Sequence, residues 1–249
     1  MSLPPVWRVL AASTAGTRHV SRGSACQDAN AHRLLDDGTL LIAVADGAGS
    51  ASRSKEGAEC ATLAAVEFLA AHLAGMETPV LETVIRDAMS AARSAVEALA
   101  AEGSSLNDFA TTLLLTVITD SLVSTLQVGD GAIVAQLSDG ESLDVLTAKG
   151  DSEYVNQTTF LTSNGYLEAA YFASRPAASV RAVAVMTDGM QLLAVHHANN
   201  TAFGAFFKPM FRFAADPTAT DQALADFLTS EAVCRRTDDD KTLVLTVRQ

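Results

Sequence analysis

Three groups of carboxylates in this sequence lie directly beside apolar segments that are typical of strands. Asp46 ends the segment LLIAVA, Asp188 closes AVAVM after one threonine, and Asp239 with Asp240 precedes the last apolar segment. A strand fixes the backbone of such a residue while its side chain reaches the rim of a sheet, so carboxylates from separate strands can converge. Hard cations such as Mg²⁺ and Mn²⁺ prefer oxygen ligands of this kind. These residues therefore indicate a metal site.

Glycine follows both Asp46 and Asp188. Because glycine has no Cβ, Gly47 allows the backbone, with its carbonyl oxygen, to approach a metal or a phosphate closely. The alternative is an ordinary turn, which we expect for Asp37-Gly38 and Asp139-Gly140. A hairpin turn leads into a second alternating strand, whereas Asp46 and Asp188 lead into glycine-rich loop or helix. Taken together, the two Asp-Gly pairs favour metal binding over turns.

The strands that would hold these carboxylates follow from the hydrophobic pattern. Strands are predicted at 6–14, 28–35, 39–46, 180–188 and 241–249, with a turn at Asp36-Asp37-Gly38 between the second and third. Three further apolar runs between Phe109 and Gly140 end in Asp or Gly and predict a β-meander of antiparallel strands. The interval 150–178 has weak alternation and is expected to be loop with some strand.

Helices are predicted between these strands. Apolar residues at helical spacing indicate helices at 53–74 and from Thr78-Pro79 to Gly103, and further helical stretches near 189–213 and 217–231. Asp216-Pro217 is expected to cap the last one. The phenylalanines between 203 and 213 favour core packing of a helix over a groove for a partner, and a substrate-facing flap stays open for part of the run. Sheets in the middle with helices outside define an α+β layered sandwich.

The overall charge and composition exclude several classes of function. The chain has 17 basic and 29 acidic residues, a formal net charge of −12, and this field opposes a nucleic acid or an anionic membrane as partner. A hydrophobic content of 49% is enough for a substantial core. No linker composition divides the sequence, so we expect one domain over residues 1–249.

The same sequence is expected to work in the cytoplasm. The segment MSLPPVWRVL lacks the pattern of an export signal, and no run of about eighteen apolar residues predicts a membrane span. Cys26, Cys60 and Cys234 are odd in number and widely spaced, which argues against both a disulfide framework and a structural zinc site.

Six segments, taken in order, resemble the motif set of the metal-dependent type 2C serine/threonine protein phosphatases (PPM), in their bacterial branch. They are GTRHVSRGSACQDAN, LIAVADGAGSASRSKEGAE, ATTLLLTV, QVGDGAIV, VMTDGM and DDDKTLVLTV, and they extend from Gly16 to Val247. The resemblance implies a four-layer α-β-β-α sandwich with two central antiparallel sheets. It also implies hydrolysis of phosphoserine and phosphothreonine in proteins by a water bridging two Mg²⁺ or Mn²⁺ ions, with no protein nucleophile.

The resemblance further implies a metal-ligand set. Asp46 matches the aspartate that bridges both ions, and Gly47 matches the glycine whose carbonyl binds one of them. Asp188 and Asp239 match the carboxylates that complete the other ion's site. Asp130, in QVGDGA, matches an aspartate that holds an additional, weaker ion in bacterial members.

The segment before the second strand departs from the family pattern in its metal ligands. Asp28 matches the second acid of the family's Glu-Asp pair, which orders metal-bound waters. Gln27 stands where typical members have the glutamate, and it offers a neutral oxygen without charge. One ion is therefore expected to bind more weakly.

Two other family residues are displaced or missing. The phosphate-gripping arginine is expected at Gly23, and Arg22 is the nearest substitute, with Arg18 a less favoured one. Ala48 stands where some members have a histidine that protonates the leaving serine oxygen. His19, in a polar loop, is a candidate for that protonation, although a lone histidine there is equally consistent with a solvated side chain.

Three functional hypotheses follow from these residues. The leading one is a phosphatase that acts on phosphorylated proteins, in partnership with a serine/threonine kinase. The second is a phosphatase-like regulatory or binding protein with weak or no turnover. The third, an N-terminal nucleophile hydrolase, requires Ser2 to be exposed by removal of Met1 and leaves the aspartates at the strand ends unexplained.

Overall fold

A computed structural model of the protein describes residues 6–74, 80–100, 103–147, 158–196 and 200–249. Its strands are β1 Trp7–Thr14, β2 Ala29–Leu34, β3 Leu40–Ala45, β4 Leu113–Ile118, β5 Leu122–Val128, β6 Ala132–Leu137, β7 Leu143–Val145, β8 Tyr171–Pro176, β9 Val180–Met186, β10 Val195–His196, β11 Thr201–Ala202 and β12 Lys241–Arg248. Its α-helices are α1 Thr17–Arg22, α2 Ser54–Leu73, α3 Leu81–Ala100, α4 Tyr166–Ala169, α5 Asp188–Ala194, α6 Gly204–Ala215, α7 Asp221–Leu228 and α8 Glu231–Cys234. Single 3₁₀ turns lie at Leu106–Phe109 and Ala177–Ser179.

Two five-stranded antiparallel sheets form the centre of the fold. The first sheet has the strand order β1-β12-β9-β6-β7, and the second has the order β2-β3-β4-β5-β8. A separate two-stranded hairpin joins β10 to β11. The strands expected near the N-terminus, at 180–188 and at the C-terminus are confirmed.

The sheets pack against each other through one face and against helices through the other. In β3, Leu40, Ile42 and Val44 lie between the sheets, whereas Leu41 and Ala43 lie under the helices. Side chains alternate across a strand, so a strand covered on both faces must be apolar throughout. This explains the continuous run LLIAVA.

The helical layers complete the sandwich. Helices α2 and α3 cover the second sheet, and residues such as Leu69 and Ile85 are fully buried there. Helices α5, α6 and α7 cover the first sheet, where Phe207 and Phe211 are buried. The expected four-layer α-β-β-α architecture is confirmed, and so is the packing role of the phenylalanines at 207 and 211.

The predicted β-meander is wrong at its third strand. Strands β4 and β5 pair with each other, but β6 crosses to the first sheet and pairs with β7 and β9. Gly129 and Gly131 make this crossing with φ of 92° and 105°, in the left-handed region that favours glycine. The apolar pattern of β6 fits either sheet, so the sequence could not distinguish them.

Three local predictions also need correction. The helical stretch expected at 189–213 is divided into α5 and α6 by the β10–β11 hairpin. Helix α7 begins at Asp221 and is capped by Thr220, whose side chain accepts a hydrogen bond from the N–H of Ala223 at 3.2 Å, so Asp216-Pro217 is not its cap. Asp216 instead turns the chain by accepting a hydrogen bond from the N–H of Thr218 at 2.8 Å.

Two other predicted segments lie partly or wholly outside the described residues. Strand β8 and α4 lie within the interval expected to be loop with some strand, and Thr78-Pro79, the expected start of the second long helix, lies outside the described residues. Among the helices that are described, none combines the length and the apolar character needed to cross a lipid bilayer.

Candidate metal centre

Three aspartates from different parts of the chain meet at one end of the two sheets. Asp46 follows β3, Asp130 lies in the turn from β5 to β6, and Asp188 is the first residue of α5, just after β9. One carboxylate oxygen of each residue lies within 4.8 Å of those of the other two. Both sheets therefore contribute to the cluster, and the strand ends bring together two of the carboxylates that the sequence singled out.

Burial and the charges of neighbouring carboxylates raise the pKa values of Asp46 and Asp188. Burial, followed by the charges of Asp28 and Asp188, raises the pKa of Asp46 to about 11. Burial and the nearby charge of Asp130 also raise the pKa of Asp188. Carboxylates this close disfavour one another's ionised form unless positive charge compensates them. A donor set of crowded, partly buried carboxylates fits divalent cations with oxygen preference.

Asp28 lies beside this cluster and is almost completely buried. It precedes β2, and its Oδ2 accepts a hydrogen bond from the hydroxyl of Thr187 at 2.7 Å. The pKa of Asp28 is raised to about 7, chiefly by burial; the Thr187 hydrogen bond opposes this rise, and the charge of Asp240 adds to it. The Thr187 hydroxyl also accepts from the N–H of Thr242 at 3.0 Å, which ties Asp28 to the start of β12.

Gln27 provides an independent sign that an ion belongs here. Its Oε1 atom is buried, and no hydrogen-bond donor reaches it from the described residues. A buried polar oxygen without a partner is costly. The buried, unpartnered Oε1 makes Gln27, the neighbour of Asp28, a candidate ligand, since a bound cation would satisfy this oxygen.

Gly47 is required by close packing beside Gln27. A Cβ at position 47 would lie 2.7 Å from the carbonyl oxygen of Gln27 and 2.8 Å from that of Ser54. Any larger residue would push apart the segments that carry Gln27 and Asp46. The sequence predicted an approach of the Gly47 backbone to a metal or a phosphate, whereas the close packing described here is against protein backbone.

Asp239 lies at the rim of the same cleft. The cleft has a volume of about 540 Å³, and Asp130, Asp188 and Asp239 are among its lining residues. The side chain of Asp239 is 43% exposed, and its Oδ2 accepts a hydrogen bond from Arg18 at 3.0 Å. Asp239 thus differs from the inner carboxylates in having a positive partner already.

The segment expected to be a polar loop around His19 is the short helix α1. Arg22 is its last residue and is exposed. Arg18, one turn earlier, is the arginine that contacts Asp239. His19 is mostly buried, and its Nδ1 lies 2.7 Å from Oδ1 of Asp240. Ala48 is also buried, so position 48 supplies no proton donor.

Several residues at the centre have no role predicted from the sequence. Asp240 is 4% exposed and bonds to His19, although only its neighbour Asp239 was expected to act. Arg235 and Arg236 line the cleft beside Asp239. The run DDD was a usable signal for Asp240, because successive residues entering a strand point to opposite faces.

Comparison with known proteins identifies the relatives of this chain. Residues 15–229 match the family model described as protein phosphatase 2C. The chain is 35% identical over 250 residues to serine/threonine-protein phosphatase 3 of Escherichia coli (strain K12), covering 96% of this chain and 97% of that protein.

The fold also matches two solved structures. One is a bacterial serine phosphatase, with a TM-score of 0.67, 12% identity and 97% coverage of both chains. The other is the catalytic domain of serine/threonine protein phosphatase PstP in complex with two manganese ions, with a TM-score of 0.68, 18% identity and coverage of 98% of this chain and 99% of that chain.

Proposed function

This chain belongs to the protein phosphatase 2C family, and from its site we infer that it is a metal-dependent phosphatase of phosphoserine and phosphothreonine in proteins. The observation that carries this function is the meeting of Asp46, Asp130 and Asp188 within 4.8 Å at the end of the two sheets. The raised pKa values of Asp46 and Asp188 and the unpartnered Oε1 of Gln27 both support a need for positive charge here.

We propose that two Mn²⁺ or Mg²⁺ ions bind here, with Asp130 contributing to a third and weaker site. When bound, such ions lower the pKa of a water molecule and neutralise charge on the phosphoryl oxygens. The residues that would hold them are Asp46, Gly47, Asp188, Asp239, Gln27, Asp28 and Asp130.

For the phosphate we propose Arg18 in preference to Arg22. The guanidinium of Arg18 is already at the cleft rim on Asp239, whereas Arg22 is exposed at the end of α1. A guanidinium matches the geometry of phosphate oxygens and neutralises their charge. Arg18 would then exchange part of its contact with Asp239 for the substrate phosphate.

For the leaving group we propose His19 as the proton donor. As water attacks phosphorus, the bond from phosphorus to the serine or threonine oxygen breaks, and that oxygen needs a proton. The Nδ1 of His19 is engaged with Asp240, which leaves Nε2 to deliver it. His19 would thereby take over the role of the histidine that some family members have at the position of Ala48.

The wider setting of the enzyme is also a proposal. We propose that residues 1–249 form one domain, since β1 near the N-terminus pairs along its whole length with β12 near the C-terminus. Cys26, Cys60 and Cys234 are free thiols, which suits the cytoplasm. The substrate is a phosphorylated protein, and the partner enzyme would be the serine/threonine kinase that phosphorylates it.

The experiment that tests this function is a hydrolysis assay with and without Mn²⁺. Purified protein is given p-nitrophenyl phosphate and a phosphothreonine peptide, beside the variants Asp46→Asn and Asp188→Asn. Asp36→Asn is the matched control, because Asp36 is an exposed aspartate in the turn between β2 and β3. We expect manganese-dependent turnover that is lost in both site variants and kept in the control. A folded wild-type protein without turnover at saturating Mn²⁺ would instead support the phosphatase-like regulatory protein.

A further inference from the structure

Asp240 gathers three hydrogen-bond donors from one segment of the chain. Its Oδ1 accepts from the N–H of Gly16 at 2.7 Å and lies 2.7 Å from Nδ1 of His19. Its Oδ2 accepts from the N–H of Gln27 at 2.6 Å. The donors span 16–27, the segment that leads into Asp28, so a single carboxylate fixes both ends of this segment and the histidine within it.

Close packing shows that this arrangement is tight. A Cβ on Gly16 would lie 2.3 Å from the carbonyl oxygen of Asp238, and a Cβ on Gly189 would lie 1.9 Å from that of Asp240. The N–H of Arg18 also donates to the carbonyl oxygen of Asp238 at 3.1 Å. The start of β12 is therefore held between α1 on one side and the beginning of α5 on the other.

The hydrogen bonds of Asp240 determine which nitrogen of the His19 ring carries a proton. An ionised carboxylate has only acceptor oxygens, and both backbone partners are N–H donors. Nδ1, the His19 ring nitrogen that faces this carboxylate, must therefore carry a proton. The other ring nitrogen, Nε2, is then the one that exchanges a proton with the substrate.

We propose that Asp240 is a positioning residue for the phosphatase reaction, which orients His19 with its proton on Nδ1 and presents Nε2 to the leaving oxygen. This inference rests on the proposed function. In the reaction, the doubly protonated ring of His19 gives its Nε2 proton to the serine or threonine oxygen as the bond to phosphorus breaks. This leaves the neutral ring with its proton on Nδ1, where the Asp240 contact is kept throughout. Asp240 acts by holding His19 and the backbone at Gly16 and Gln27, and it touches neither the substrate nor the water.

Asparagine cannot reproduce the role of Asp240. It has one acceptor oxygen and one NH₂ group, so its NH₂ would face either the N–H of Gln27 or the donors at Gly16 and His19. Asp240→Asn therefore keeps the size of the side chain and sets a donor against a donor. Asp238→Asn is the matched control, because Asp238 belongs to the same run, its side chain is 69% exposed and its ion pair with Arg18 is long, at 3.9 Å.

The first arm of the test compares leaving groups. p-Nitrophenyl phosphate releases a weakly basic phenolate that needs no proton, whereas a phosphoserine peptide releases an alkoxide that does. We expect Asp240→Asn and His19→Gln each to lower kcat for the peptide by about 10²-fold, the lower range for loss of general acid catalysis, with a much smaller loss for p-nitrophenyl phosphate. The double variant should lose no more than His19→Gln alone, and Asp238→Asn should stay within about twofold of the wild type.

The second arm is independent of turnover and of metal. Long-range ¹H–¹⁵N spectra of the metal-free protein report which ring nitrogen of each histidine is protonated, and His19→Gln identifies the signals of His19. We expect the Nδ1-protonated form in the wild type and in Asp238→Asn, and its loss in Asp240→Asn. His19→Gln also keeps the kinetic test valid if Asp240→Asn does not fold.

The outcomes separate this inference from the proposed function. An inactive wild-type protein overturns the proposed function and this inference with it. An active enzyme in which Asp240→Asn and His19→Gln slow both substrates equally, or in which His19 carries its proton on Nε2 in the wild type, overturns the role of Asp240 and leaves the phosphatase activity intact.

Discussion

The carboxylates of this protein fall into two neighbouring groups with opposite surroundings. The inner group, Asp46, Asp130 and Asp188, makes no salt bridge within the described part of the chain, although its oxygens lie within 4.8 Å of one another. The outer group, Asp239 and Asp240, already contacts Arg18, His19 and backbone N–H groups.

The inner group is therefore suited to binding a cation, whereas Asp240 in the outer group stabilises the segments around it. Carboxylates that repel one another and lack protein cations gain most from a cation taken from solution. Asp240, which is already satisfied, instead fixes the segments around it, whereas Asp239 combines its contact with Arg18 with a proposed place as a metal ligand. The comparison predicts opposite responses to substitution in the two groups, first in activity and then in stability.

The largest effect is expected for Asp46→Asn. Loss of the central carboxylate should lower manganese-dependent kcat by about 10³-fold, equivalent to about 4 kcal/mol of transition-state stabilisation. With a pKa raised to about 11, Asp46 must take up a proton when the metal-free protein folds at neutral pH. Asparagine avoids this cost, so the melting temperature of the metal-free protein should rise. A steady-state assay and a thermal melt of one preparation measure both effects.

Asp240→Asn should shift stability in the other direction. It breaks a buried set of hydrogen bonds that is complete in the wild type, which costs about 1–3 kcal/mol. For a chain of this size that is a fall of several degrees in melting temperature, at about 2–4 °C per kcal/mol, with or without Mn²⁺. Equal shifts in the two variants would remove the distinction between the groups.

The two arginines of α1 extend the comparison to the substrate. We expect Arg18→Ala to lower kcat/KM for a phosphopeptide by about 10²-fold, the size of effect typical of losing one donor to the transition-state charge. Arg22→Ala, one turn later, is the matched variant and should change kcat/KM by less than about twofold, since an exposed arginine contributes little. The reverse order would return the phosphate site to Arg22.

The hydrophobic pattern of the sequence predicted two of the three inner carboxylates. Asp46 and Asp188 were predicted because strand periodicity shows where a strand ends, and the residue after that end points into the rim. Asp130 came only from family resemblance, because its position depends on the crossing of β6 between sheets, which two glycines permit and no periodicity encodes.

The edge of the centre was harder to predict than its middle. Asp239 and Asp240 are adjacent and chemically identical, and only the tertiary fold shows which one faces the cleft and which one meets His19. Arg18 and Arg22 lie on a helix of six residues, which is too short to leave a periodic pattern. The sequence thus predicted residue types at the edge better than it predicted their roles.

The pH dependence of stability should show how far burial and neighbouring charges raise the pKa values of Asp28 and Asp46. The pKa of Asp28 is raised to about 7 and that of Asp46 to about 11, both above the value near 4 of an unfolded chain. The folded protein therefore binds more protons than the unfolded one, and its stability falls as pH rises from about 4 through 7 and beyond.

Melting temperatures of the metal-free protein between pH 5 and pH 8 measure this fall, which we expect to be on the order of 5 °C. Saturating Mn²⁺ should reduce the slope, because a bound cation favours the ionised carboxylates. Stability that rises over this range in the metal-free protein would contradict the assignment of unpaired inner carboxylates.

The smallest expected effect comes from Gln27→Glu, which adds charge to the inner group. A carboxylate in place of the unpartnered Oε1 should tighten Mn²⁺ binding by about tenfold, or about 1.4 kcal/mol, measured by calorimetry. The same charge should lower the melting temperature of the metal-free protein, because it increases the repulsion among the neighbouring carboxylates. Gln191→Glu is the matched control, since Gln191 lines the cleft and receives the same charge outside the ligand set. Equal gains in affinity for both variants would mean that general attraction of cations, and not a ligand at position 27, explains the effect.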